Sequence, residues 1–127
     1  MAKHQLATLQ LAIMQVLWDR GEATVADVRE ALQRSRPLAH TTIGTMLTKM
    51  ERNGQVRHRT EGRVNVYRAA VGREKVRRSM LADLAARLFA GDLTEMVSHL
   101  LESRDVTPEE LSRLKELIRE KEGRHDK

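Results

Sequence analysis

The chain has 127 residues, enough for one domain or two very small ones; 40% hydrophobic residues allow a packed core, but 2% aromatics keep it thin. It has no cysteine, which removes disulfides, thiolate metal sites, iron–sulfur clusters and thiol redox sensing, and fits a reducing cytoplasm. Net charge is +5 and all of it lies in the first half: residues 1–70 carry 11 Lys/Arg against 6 Asp/Glu, and residues 71–127 carry 12 against 12.

The opening stretch MAKHQLATLQLAIMQ has no long apolar run. It reads as an amphipathic helix, not a signal peptide or membrane span, so a cytoplasmic location is expected. Thr8 is its candidate N-cap, Leu9, Ile13, Val16 and Leu17 follow at helical spacing, and Gly21 stops it. Trp18 reads as packing between helices. A second, short helix is capped by Thr24 with Asp27 in the capping-box position; Val25, Val28 and Leu32 form its stripe, and Pro37 forces Arg36 out of the helical region.

The spacing predicts a third helix from about His40 to Asn53, ended by Gly54. On a helical wheel Ile43, Met46, Leu47 and Met50 fall on one side. Thr41, Thr45, Thr48 and Arg52 fall opposite, flanked by Thr42 and Lys49. After Gly54 the period changes to two. Val56–Thr60 and Arg63–Arg68 read as two strands joined at Glu61-Gly62. Val56 and His58 share a face opposite Arg57 and Arg59; Val64 and Val66 share one opposite Arg63, Asn65 and Tyr67. Two strands alone are marginal, so the hairpin must lean on the helices.

From Gly72 everything reads as helix. Val76, Met80, Leu84 and Leu88 repeat every four residues beside Leu81, and Phe89 precedes the stop at Gly91. Asp92 opens a helix with Leu93, Met96, Val97, Leu100 and Leu101 apolar. Thr107-Pro108-Glu109-Glu110 opens another, with Leu111, Leu114, Leu117 and Ile118 apolar. The tail GRHDK reads as frayed.

Two helices, a turn, a third helix with a polar outer face, then a basic hairpin make a winged helix-turn-helix. The expected fold class is mainly α with a small β-hairpin wing, comprising a DNA-binding domain over 1–71 and a helical dimerisation domain over 72–127. Within 34–68 eight basic residues (Arg34, Arg36, Lys49, Arg52, Arg57, Arg59, Arg63, Arg68) face two acidic ones, Glu51 and Glu61. Such an excess points this half at a polyanion. A helix fits the major groove, threonine offers a hydroxyl and a methyl to base edges, and Arg and Lys neutralise phosphates. The expected DNA contacts are Thr41, Thr42, Thr45, Thr48, Lys49, Arg52, Arg57, Arg59 and Arg63. His4, His40, His58, His99 and His125 lack metal-site spacing, and no nucleophile elbow, phosphate loop or paired carboxylates occur, so no metal, cofactor or catalysis is expected.

In LATLQLAIMQVLWDRGEATVADV, HTTIGTML, EGRVNVYRAAV, LFAGDLTEMVSHLLE and TPEELSRLKELI, the sequence resembles the BlaI/MecI family of penicillinase repressors over nearly its whole length. The resemblance implies a homodimer on a palindromic double-stranded operator, with intertwined C-terminal helices. Here the dimer residues would be Met80, Leu84, Leu88, Phe89, Leu93, Met96, Val97, Leu100, Leu111, Leu114 and Ile118. It also implies control by a membrane-bound sensor metalloprotease answering to β-lactams. The family's Asn-Phe cleavage pair aligns with His99-Leu100, and its Ser-Pro at the recognition helix with Ala39-His40. A copper-responsive branch uses C-terminal cysteines, which this chain lacks. Rival readings are a small-molecule-sensing regulator, for which aromatics are scarce, and a nucleoid-type binder without sequence preference. An RNA- or protein-binding module is a third, though exposed aromatics for base stacking are lacking.

Overall fold

The computed structural model describes residues 8–125. His4 and the first seven residues of the opening stretch lie outside them, as do Asp126 and Lys127. The elements are α1 (Thr8–Arg20), α2 (Val25–Leu32), α3 (His40–Arg52), β1 (Val56–Glu61), β2 (Val64–Ala69), α4 (Arg73–Phe89), α5 (Leu93–Ser103) and α6 (Pro108–His125). The chain is therefore mainly helical with one antiparallel hairpin. Two compact units divide it, the first ending at Asp83 and the second beginning at Leu84.

In the first unit α1 packs on α2 and β2, α2 on α3 and β2, and α3 on β1. The core joins Ile13, Met14 and Leu17 of α1, Ala23, Val28 and Leu32, Ile43, Leu47 and Met50 of α3, Val56 and Tyr67 of the hairpin, and Val76 of α4. Met14, outside the predicted stripe, is fully buried, while Leu9 and Val16 are half-buried. The α2 capping box forms in full: the Asp27 N–H donates to Thr24 Oγ1 at 3.1 Å and the Thr24 N–H to Asp27 Oδ2 at 3.0 Å. At the end of α3, Gly54 takes φ +79° and the Gln55 N–H reaches back to Met50 O at 2.9 Å, which turns the chain sharply into β1.

The hairpin departs from the sequence reading at its turn and adds two features to it. Glu61 belongs to β1, so the turn is Gly62-Arg63; Gly62 has φ +66°, as a first turn residue of the II′ kind requires. Of the two faces that alternation leaves open in β2, the one with Tyr67 turns to the core of the unit: Tyr67 is 4% exposed whereas Val64 is 50% exposed. And Ala23 pairs with Tyr67 through two backbone hydrogen bonds of 2.8 and 2.9 Å, so a third short segment supports the two strands. Trp18 fastens the exit of β2 to α1: its indole N–H donates to Val71 O at 2.9 Å, and the Arg73 guanidinium lies 5.5 Å from its ring centroid, paired with Asp19.

In the second unit the starts behave as capping patterns. Asp92 accepts the Glu95 N–H at 3.0 Å, and Thr107 accepts the Glu110 N–H at 3.1 Å. The tail is not frayed where it is described: α6 continues through Gly123 to His125, with Arg124 3.9 Å from Glu120 and basic residues in its last turn, which suit a helix C-terminus. No residue of α5 or α6 is buried.

Candidate nucleic-acid interface

The period of α3 sets the interface. Ile43, Leu47 and Met50 are 0% exposed, which fixes the helix by one side. Thr41, Thr42, Thr45, Thr48, Lys49 and Arg52 are all exposed. The hydroxyl of Thr48 donates to Gly44 O at 3.0 Å, leaving it lone pairs only, whereas no hydrogen bond among the described residues engages the hydroxyls of Thr41, Thr42 and Thr45. Ala39 at the N-cap makes no side-chain hydrogen bond, so the first-turn N–H groups remain open to an incoming acceptor.

The register of the hairpin sorts its arginines. Arg57 stands opposite Arg68, Arg59 opposite Val66, and Arg63 sits in the turn. Lys49, Arg52, Arg57, Arg63 and Arg68 have no carboxylate partner among the described residues. Arg59 differs. Its guanidinium donates to both oxygens of Glu22, one at 3.1 Å, and to Glu61 Oε2 at 2.8 Å. Those bonds hold the Glu22 carboxyl below its ordinary pKa and raise that of Arg59, through Glu22 first and Glu61 second. Arg59, one of the expected DNA-facing cations, is exposed and paired with two carboxylates of the chain itself. Arg68 was counted in the basic cluster but not among the contacts, and only the register, set by the turn at Gly62, places it beside Arg57.

A further contact ties wing to helix. His58 Nδ1 lies 2.6 Å from Glu51 Oε1 and the His58 backbone N–H donates to Glu51 Oε2 at 3.2 Å, while its ring is tilted against that of Tyr67 with 5.4 Å between centroids. Nothing in the residue spacing signals this pair, because Glu51 and His58 belong to elements of different period.

Of the residues expected at a dimer contact, Met80 is half-buried against the core of the first unit. Leu84, Leu88, Leu93, Val97, Leu100, Leu111, Leu114 and Ile118 are 38–70% exposed. Phe89 and Met96 are half-buried. His99 and Leu100 lie inside α5, both exposed; the His99 ring packs 5.3 Å from that of Phe89, and its Nε2 is 3.8 Å from Glu95 Oε1. Among the described residues no His, Asp or Glu grouping could hold a metal ion, and no helix is long and apolar enough to cross a membrane.

A three-helix frame with one polar helix face outward and a basic hairpin beside it defines a winged-helix DNA-binding regulator. The chain belongs to the penicillinase repressor family, whose sequence profile matches residues 6–120. It is 27% identical to the penicillinase repressor of Bacillus licheniformis over 120 residues, 94% of each chain. It is 31% identical to the transcriptional regulator BlaI of Mycobacterium tuberculosis over 123 residues, 95% of this chain and 88% of that one. The solved DNA-binding domain of the repressor BlaI superimposes with a TM-score of 0.52 at 27% identity, covering 58% of this chain and 90% of that one. The protein is a DNA-binding transcriptional repressor and not an enzyme; the ligand-sensing and nucleoid-type readings are not favoured.

Proposed function

We propose that two copies of the chain bind a two-fold symmetric operator, each laying α3 in the major groove. One observation carries the reading: α3 is anchored by three fully buried residues, Ile43, Leu47 and Met50, while every polar residue expected at the DNA stays exposed. Thr41, Thr42 and Thr45, nearest the helix start, read base edges. Lys49, Arg52, Arg57 and Arg63 hold phosphates. The exposed leucines of α4, α5 and α6 join the two copies. Footprinting on the DNA upstream of the protein's own gene tests this. Two protected half-sites about one or two helical turns apart are expected, with affinity falling by roughly 0.9 log unit per tenfold rise in salt for each phosphate held. A single unsymmetric footprint, or a flat salt response, overturns it.

The name of the relative in Bacillus licheniformis, a penicillinase repressor, supports an extension of this reading: the controlled genes answer to β-lactams. Release then follows a cut at His99-Leu100 by a membrane-bound sensor metalloprotease. Because the pair lies within α5, that helix must open locally before a protease can hold it extended. Intact mass after β-lactam treatment of cells tests the extension. A fragment ending in α5 supports it; derepression with the chain at full length overturns it.

A further inference from the structure

The outer face of the wing carries three arginines with different surroundings. Arg57 and Arg68 oppose each other and neither is paired with a carboxylate among the described residues, so they repel until an anion joins them. Arg59, on the same face, has a carboxylate on two sides. Glu61 lies two residues further along β1. Glu22 comes from the turn after α1, and its neighbour Ala23 is held to Tyr67 by backbone bonds in both directions, so the main chain presents Glu22 to the wing.

We propose that Glu22 and Glu61 withhold Arg59 from DNA, which confines the wing's phosphate contacts to its other arginines and limits the repressor's hold on non-operator DNA. The inference rests on the DNA-binding reading and adds a specificity role for two acidic residues within it. Each ion pair is half-exposed, and such a pair alone is weak. The arrangement gains from the two-pronged grip of Glu22 and from the second carboxylate, since fork-to-fork arginine contacts are the strong ones. Charge decides the outcome. The trio of one arginine and two glutamates carries a net negative charge, so a phosphate reaching for Arg59 meets two carboxylates. A phosphate contact made by every sequence strengthens binding to random DNA without discriminating bases. Withholding one cation therefore lowers capture by the rest of the chromosome.

The test uses the full-length protein and a short random-sequence duplex, titrated over a range of sodium chloride concentrations. Wild-type binding with a negative salt slope establishes DNA contact separately from the proposal. Replacing Arg59 with Gln should leave that slope unchanged. The double change Glu22→Gln and Glu61→Gln should tighten binding by about threefold or more and steepen the slope by about 0.9 for the phosphate newly held. Adding Arg59→Gln to the double variant should cancel the steepening. Thermal melting of each variant checks that the fold survives; the isosteric glutamines are chosen to keep it. A slope flattened by Arg59→Gln alone, or a double variant indistinguishable from wild type, overturns the proposal. So does a gain that persists in the triple variant, because long-range charge and not Arg59 would then carry it.

Discussion

Thr45 and Arg63 present opposite chemistry to DNA, and their substitutions separate reading from holding. Thr45 is exposed on α3, and its hydroxyl has no hydrogen-bond partner among the described residues. Thr45→Ala should cost ~1–3 kcal/mol at one base pair and relax the preference there. Thr48→Ala should cost less, because the Thr48 hydroxyl already donates to Gly44 O. Arg63, in the turn, should act on all sequences alike: Arg63→Ala weakens binding uniformly and reduces the salt slope by about 0.9. Titrations on single-base-pair variants of the footprinted site check both, and a change of preference from Arg63→Ala with none from Thr45→Ala reverses the roles. A second residue makes a stability prediction. Ala90 has φ +48°, left-handed backbone that an L side chain occupies at a cost. Ala90→Gly should therefore stabilise the second unit by about 0.5–1 kcal/mol, read from urea unfolding at fixed protein concentration. A lower midpoint would show that the alanine methyl makes compensating contacts.

At the scale of elements, α2 shows how a short helix is held at its start. It has 8 residues, and its first turn depends on the reciprocal bonds of Thr24 and Asp27. Thr24→Ala should cost about 1 kcal/mol. The Thr24 backbone N–H, and after it the Thr24 hydroxyl, hold the Asp27 carboxyl below its ordinary pKa. The stability it adds is therefore present above the ordinary carboxylate range and is lost as pH falls through the lowered folded value. The difference in melting temperature between wild type and Asp27→Asn should shrink on acidification through that range; a constant difference would assign the effect to packing. This helix was legible in the residues because caps and stripes are local signals, as were α3 with its threonine face and the capped starts of α5 and α6. The inward turn of Tyr67 was not legible. Alternation along β2 places Val64 and Val66 on one face and Tyr67 on the other, but which face is covered depends on Ala23, an isolated bridge far away in sequence. The engagement of Arg59 escaped for the same reason, since Glu22 reaches it only after the third segment pairs.

At the scale of the whole molecule, apolar surface and DNA affinity meet in one prediction. The second unit leaves Leu84, Leu88, Leu93, Leu100, Leu117 and Ile118 43–70% exposed, far more than a helical segment with a covered face would show. A second copy would cover these side chains, and burial of leucine is worth roughly 1.5–3 kcal/mol per side chain. An aspartate placed among them would instead leave an unpaired carboxylate in the contact. Leu88→Asp and Leu100→Asp should each convert the proposed dimer to monomers in sedimentation. The first unit should stay folded, because its core from Ile13 to Val76 includes no residue of α5 or α6. Trp18, the single tryptophan, reports on that directly: its indole is bonded to Val71 within the first unit, so its fluorescence should not change. DNA binding should nonetheless fall, because the second half-site is engaged intramolecularly only while the copies are joined, an advantage of about 10²–10⁴ in affinity. The loss should be largest on the two-half-site operator and nearly absent on an isolated half-site. Equal losses on both would mean that the substitutions disturb the DNA-binding unit, and dimers that survive both substitutions would place the contact elsewhere on the chain.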